Sequence, residues 1–294
     1  MHQVSPKVHM IAQTQIDPMQ VVDMLCEVGM TQQASADWVN TNYDPSTQGG
    51  EFLVEVAGRL CYKSFEPGLN KNVTKVREGN QQYLANILSS KHGSVLEHAT
   101  VSFAFIGVSR VFTHEIVRHR AGCAFSQESL RYVRLDDLGM RLPYMFEDDD
   151  FLNKIYEAQP IEWRVVVDRK QFVSNKKRDV KATFDKAFTA SEEAYTFLCN
   201  AFEIDNIKDF NLKKKLTSAF RRIAPIGLTT NILVTANHRA WRHIVELRSS
   251  RYAEEEVVEV IGKVGTILKE TFPNIYQDME RNEHGEWVFA NSKI

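Results

Sequence analysis

The chain has 294 residues, a formal charge of −2, and apolar and charged shares of 43% and 25%. That is long enough to bury a sizeable core and too apolar for a disordered chain. The near-neutral balance gives no global electrostatic case for nucleic acid or an anionic membrane, so any anion site has to be built by local clustering.

At the N-terminus, residues 1–7 show neither the basic start nor the apolar run of a signal peptide. No later apolar stretch is long enough to span a membrane. Asp17-Pro18 reads as an N-cap followed by proline at the first helical position, opening a helix through Val21, Val22 and Leu25. The spacing of Leu53, Val56, Ala57 and Leu60 predicts a helix over about Gly50 to Leu60. Leu84, Ile87 and Leu88 predict another over about Glu78 to Ser90. Thr100 to Gly107 is rich in Val and Phe, as strands are; Gly107 closes it, and Ser109 is placed to cap a helix running to about Arg120.

From Asp136 to Lys177 the pattern weakens around Pro143, the acidic run Glu147 to Asp150, and Pro160, which predicts an exposed excursion or insertion at 136–177. Helical spacing returns with Phe184, Phe188, Tyr195 and Phe202, and again with Phe210, Leu216 and Phe220 ahead of Pro225. Ile232 to Thr235 reads as a short strand. Helices are expected over about Asn237 to Arg248 and about Ala253 to Thr271, the latter stopped before Pro273. The expected fold class is α+β, mostly helical with a small, mainly antiparallel sheet, in a single domain spanning 1–294. Cys26, Cys61, Cys123 and Cys199 are scattered without a Cys-x-x-Cys pair, which fits reduced thiols and a cytoplasmic location.

The segment Arg118 to Tyr132 holds the densest chemistry. Arg118-His119-Arg120 and Arg131 bracket a Gly122 turn with Ser126, Gln127 and Ser129 between them. Guanidinium forks, hydroxyls and amides are the equipment for gripping phosphate oxygens. The bland alternative is a basic last turn of a helix, complementing its dipole in water. His114-Glu115-Ile116-Val117-Arg118-His119 superficially matches a zinc-protease signature, but the second histidine comes five residues on rather than four, and Arg118 holds the needed place. No metal is expected.

A second constellation runs from Asn237 to Arg248. At about 100° per residue, Trp241, Ile244 and Val245 fall near about 40°, 340° and 80°, and Arg248 near about 20°, inside the apolar face. Arg239, Arg242, His243 and Glu246 take the other side. An arginine on a core-facing stripe needs an anionic or hydrogen-bonding partner. A local pair with Glu254 or Glu255 is as consistent as a binding site. His92-Gly93-Ser94-Val95-Leu96-Glu97-His98 is a polar turn, Arg221-Arg222 closes a helix before Pro225, and nothing marks Cys123 as activated. No Gly-x-Gly-x-x-Gly or Walker loop is present.

Taken jointly, these segments strongly resemble the flavin-dependent thymidylate synthases: the His-x-Ser-x-x-Glu-His turn, Arg-His-Arg, Ser-Gln-x-Ser-x-Arg-Tyr, and Asn-x-Arg-Ala-Trp-Arg-His…Leu-Arg in the same order. The resemblance covers about Cys61 to Pro273. It implies reductive methylation of dUMP to dTMP, with methylenetetrahydrofolate as carbon donor, FAD as hydride carrier and NADPH as reductant. It also implies a homotetramer with shared active sites, and no nucleic-acid or membrane partner.

Carried over by position, Ser94, Glu97, Arg118, His119, Arg120, Gln127, Asn237, His238, Arg239 and His243 would hold FAD. Glu115, Arg118, Gln127, Glu128, Ser129, Leu130, Arg131, Arg221 and Arg248 would hold dUMP, with Arg248 as the catalytic residue against the pyrimidine edge. One extra residue in the loop before Ser129 keeps both Gln127 and Glu128 as candidates, and the distance to Pro225 favours Arg221 over Arg222. Glu115 stands where other members often have Gln. The rival readings are a nucleic-acid-binding protein using the basic strip 118–134, and an inactive flavin- or nucleotide-binding paralogue.

Overall fold

The computed structural model describes residues 2–43, 49–135 and 139–294. β1 (Lys7–Gln13) precedes α1 (Pro18–Val28), α2 (Gln32–Asn42), α3 (Gly49–Tyr62) and α4 (Asn80–Ser89). A 3-10 turn at Gly93–Glu97 leads into β2 (Thr100–Ser109), α5 (Arg110–Ile116) and β3 (Cys123–Gln127). After them come α6 (Asp149–Glu157), α7 (Ile161–Val166), the long α8 (Arg169–Ala201) and α9 (Phe210–Phe220). β4 (Thr229–Asn237), α10 (His238–Arg248), α11 (Glu255–Thr271) and the hairpin β5 (Met279–Arg281) and β6 (Trp287–Phe289) follow. None of the described helices is long and apolar enough to cross a membrane.

The helix starts follow their capping chemistry. Asp17 accepts from the backbone N–H groups of Met19 (3.0 Å) and Gln20 (3.3 Å), and Ser109 Oγ accepts from Phe112 N (3.2 Å). One helix end differs from expectation: α5 stops at Ile116, not near Arg120. The chain has to reverse so that β3 can pair with β4, and Gly122, at φ +70°, makes that turn. Arg118-His119-Arg120 therefore lies in a connection and is not a helical turn.

The main sheet has the order β1-β2-β4-β3, with every pair antiparallel. Thr100 pairs with Asn237 and Cys123 with Ala236. This register brings the start of β2, the end of β4 and the start of β3 to one end of the sheet, where the polar 93–97 turn and the first residue of α10 also lie. Ser109, Gln127 and Thr229 sit toward the opposite end.

The alternation in β2 buries Val101, Phe103 and Phe105 against Trp241, Ile244 and Val245 of α10 and a row of α11 valines with Ile261 and Leu268. Trp241 stands edge-on to Phe103 at 5.1 Å and donates its indole N–H to the Val101 carbonyl at 3.0 Å. Burying each such side chain contributes roughly 1.5–3 kcal/mol. A second apolar cluster joins α8 and α9 to Leu130, Leu135 and Leu228, and a third joins α1 and α2 to α3.

Within the stretch 136–177, Tyr156, Trp163 and Phe172 form an aromatic cluster with centroids 5.5–5.8 Å apart, and the Tyr156 hydroxyl reaches the carbonyls of Arg164 and Val167. Residues 136–138 of that stretch lie outside the described residues.

His238 sits in the main core with no exposure. Its ring stands edge-on to Phe272 at 4.5 Å, and Nδ1 shares a hydrogen bond with the Tyr276 hydroxyl at 3.1 Å. Burial, and then the charge of Arg242, pushes its imidazole down to about 3. An unfolded chain takes that proton near pH 6.5. Stability from His238 is therefore complete above about 6.5 and is lost as pH falls toward 3; a drop of about 1.5 pH units below 6.5 removes about 2 kcal/mol. Urea denaturation at about pH 7.5 and about pH 5 is expected to show a smaller acid loss for His238→Phe than for wild type. Equal losses would show that His238 does not titrate in this way.

Candidate active site

Asn237 both ends β4 and caps α10, its side-chain oxygen accepting from Ala240 N at 2.8 Å. A Cβ on Gly122 would stand 2.5 Å from the Asn237 amide nitrogen, so only glycine lets the β3 turn approach this cap. In the first turn of α10, Arg239 donates to Glu97 (2.5 Å) and, through Nε, to the Ile294 backbone oxygen (2.8 Å). Glu97, Gly122, Asn237, Arg239 and His243 line one side of a cavity of about 400 Å³. Ser94 and Arg239 line an adjoining hollow of about 340 Å³. These volumes suit one sizeable ligand. Cation, amide and imidazole groups around this wall fit a phosphate-bearing ligand such as a flavin nucleotide.

Three turns along the same helix, Arg248 does find partners, but not Glu254 or Glu255. Its Nη1 pairs with Glu115 at 2.8 Å, its Nε donates to His119 Nε2 at 2.9 Å, and its Nη2 reaches the Glu115 carbonyl oxygen at 3.4 Å. Only 16% of its side chain is exposed. Glu254 instead caps α11, and Glu255 accepts from Met145 N. The His119 and His243 rings meet edge-on at 5.8 Å, which ties this cluster to the Arg239 cavity.

Since the Arg248 Nε–H donates to His119 Nε2, that nitrogen carries a lone pair and the ring proton sits on Nδ1. The environment agrees: burial first, then the charges of Arg248, His243 and Arg118, pushes the imidazole down to about 4, with Glu115 opposing. His119 is neutral at pH 7. Arg118 is largely exposed and, among the described residues, makes only a long pair with Glu115 (3.4 Å), and Arg120 is exposed.

The rest of the expected nucleotide set lies along β3 and toward the other end of the sheet. Gln127 donates to Thr113 Oγ1 (3.2 Å), and Glu128 accepts from Asn231 N (3.2 Å). Ser129 accepts from Arg131 N (3.3 Å), Arg131 Nε reaches Ser218 (3.1 Å), and Leu130 is buried in the α8–α9 cluster. Arg221 is exposed at the end of α9, close enough to the half-buried Arg110 that the two guanidiniums repel, while Glu128 opposes that effect. No described contact within the chain joins Arg131 or Arg221 to Arg248.

Two residues stand apart from their expected places. His238 is enclosed in the core and does not line the cavity, because the first residue of α10 points between Phe272 and Tyr276. Arg242, placed by helical angle on the polar side, is buried and paired with Asp278, because the chain beyond residue 274 folds over that face.

The residues that sequence reasoning missed are Phe289, Asn291, Lys293 and Ile294, which complete the cavity wall, and Thr113, which holds Gln127. No local signal marks the wall residues. Thr113 could have been found only from its position one turn into a capped helix beside the basic motif.

Residues 45–274 match the family model described as thymidylate synthase complementing protein. The flavin-dependent thymidylate synthase of Mycolicibacterium gilvum is 32% identical over 244 residues, covering 82% of this chain and 84% of that protein. That of Mycobacterium marinum is 34% identical over 235 residues, 79% and 80% of the two chains. Among solved structures, the UMP/dUMP methylase PolB from Streptomyces cacaoi, bound with 5-Br UMP, superposes with a TM-score of 0.57 at 16% identity, covering 94% of this chain and 93% of that one. That last similarity is one of fold.

Proposed function

Since the chain belongs to the family of flavin-dependent thymidylate synthases, we propose that it methylates dUMP reductively to dTMP, with Arg248 as the residue that activates the pyrimidine. The observation that carries this reading is the meeting of Arg248, His119 and Glu115, from segments more than 120 residues apart, beside the Arg239 cavity.

Uracil C5 is a poor carbon nucleophile until the ring carries more electron density. A guanidinium against N3 and O4 stabilises the anionic form of the ring, and a largely water-excluded position makes that charge count. His119 and Glu115 hold Arg248 from two sides, so its orientation is set before a substrate arrives. Neutral His119 adds no competing positive charge to the pocket.

Asn237, Arg239 and His243, with Ser94 and Glu97, would hold the flavin, FAD in this reading. When bound, the flavin supplies the hydride that no side chain can deliver. NADPH is the proposed reductant and methylenetetrahydrofolate the proposed carbon donor. Ser129, Arg131 and Arg221 would receive the phosphate of the nucleotide. They lie apart from Arg248 in one chain, which favours a homotetramer in which a second copy brings its phosphate group of residues to this cluster.

The purified protein is expected to be yellow and to bleach on anaerobic addition of NADPH. A colourless protein that takes up no FAD would end this reading. Arg131→Ala is expected to weaken dUMP binding about 10- to 100-fold in calorimetry, the size of a lost charge-assisted contact, and to leave flavin affinity alone. Unchanged dUMP affinity would place the phosphate elsewhere.

A further inference from the structure

The family match ends at residue 274, yet one wall of the Arg239 cavity comes from beyond it. Arg242 clasps Asp278 with bonds of 2.7 and 2.9 Å and donates to the carbonyls of Ile275 (2.8 Å) and Asn291 (3.2 Å). Asp278 also accepts from the backbone and side-chain N–H groups of Asn291, at 3.0 and 2.9 Å. Three residues on, Ile294 is buried and receives the Arg239 Nε–H. A side chain at Gly93 would collide with the Ile294 backbone, so that glycine makes room for this seat.

The segment between Asn291 and Ile294 is thus pinned at both ends. Lys293 within it holds φ +56°, a left-handed conformation that a non-glycine residue keeps only where its surroundings impose it. That constraint presents Lys293 to the cavity shared with Arg239 and to the neighbouring one that borders Arg248. Arg239 is engaged by Glu97 and Arg242 by Asp278, whereas Lys293 has no hydrogen bond or ion pair among the described residues. A carboxylate on the same cavity wall, Glu246, is raised chiefly by burial, with Arg242 and His243 pulling it down ahead of Lys293.

We propose that Lys293 is a further ligand-binding residue, supplying beside the Glu97-paired Arg239 the uncompensated positive charge that receives the diphosphate of FAD. The proposal rests on the reading that this cavity takes the flavin. A mobile ammonium on a fixed backbone suits a diphosphate, which asks for charge more than for fork geometry.

FAD and riboflavin affinities, measured by flavin fluorescence on the full chain stripped of flavin, test this. Lys293→Ala is expected to weaken FAD about tenfold and Lys293→Glu further, while Lys293→Arg stays within about threefold of wild type. Riboflavin, which lacks phosphate, is expected to bind all four proteins alike. FAD affinity within about twofold of wild type in both the Ala and Glu variants overturns the proposal, as does an equal loss for riboflavin, which would make Lys293 a piece of wall and not a charge. Wild-type protein that binds no FAD would refute the functional reading itself, a result separable from either of these.

Discussion

An Arg248→Ala variant is expected to bind flavin normally and to lose about 10²–10³-fold in the rate of dTMP formation. The size follows from what the guanidinium does: it stabilises charge that develops on the pyrimidine, and removal of one such fixed donor from a dry site costs that much in turnover. The fold is expected to tolerate the change. Glu115, the partner left behind, is 29% exposed, so water can solvate its carboxylate, and neutral His119 needs no counter-charge. Lysine is not a conservative replacement here, because Arg248 uses Nε toward His119 and Nη1 toward Glu115 at once. Turnover within about tenfold of wild type, with flavin bound, would remove Arg248 from the chemistry.

Arg248 also shows what a sequence can and cannot disclose. Its place on the apolar stripe of α10 follows from periodicity alone, and that placement demanded a partner. Which partner was beyond reach: His119 and Glu115 lie 129 and 133 residues away in the chain, and only the β4–β3 register brings them near. The two local carboxylates that sequence proximity offered serve other purposes, capping α11 and holding Met145.

Capped and periodic helices were legible because their signals are local. Asp17-Pro18 and Ser109 start α1 and α5 as expected, and α10 and α11 end as expected, at Arg248 and Thr271. The end of α5 was not, since no glycine or proline follows Ile116 until Gly122, and the reversal is imposed by sheet pairing. β3 was hidden because its five residues, Cys123 to Gln127, lie within the polar segment between Arg118 and Arg131 and carry no run of β-branched residues. α2 has few apolar positions, and β5 and β6, at three residues each, are too short for an alternation to show. The cavity wall at 289–294 was invisible for the same reason as the burial of Arg242: both depend on how the chain returns after Pro273.

The second large effect concerns stability. Arg59→Ala is expected to remove about 3–5 kcal/mol, a large part of the roughly 5–15 kcal/mol that holds a typical domain together. Arg59 and Glu55 are almost wholly enclosed, at 2% and 0% side-chain exposure, and pair at 2.7 Å one turn apart on α3. Arg59 also donates to the Ser64 and Arg77 carbonyls, each at 2.7 Å, and its guanidinium lies 4.4 Å over the Tyr83 ring. Truncation leaves a buried carboxylate with, among the described residues, only the Asn80 amide (2.8 Å), and it strips a donor from two carbonyls.

The free energy of urea unfolding checks this. A loss under about 1 kcal/mol would mean that water enters and replaces the guanidinium. Adding Glu55→Gln to Arg59→Ala is expected to recover part of the loss, because the stranded charge is then gone. The same ion pair braces the end of α3, whose Gly58, Cys61 and Tyr62 line the hollow that contains Ser94. Flavin affinity is therefore expected to fall along with stability.

Methylation at C5 with Arg248 as the activating residue is tested by tritium release from 5-tritiated dUMP in the presence of FAD, NADPH and methylenetetrahydrofolate. Release is expected to need every component and to fall about 10²–10³-fold in Arg248→Ala. Flavin-loaded wild-type protein that binds dUMP yet releases no tritium would contradict it.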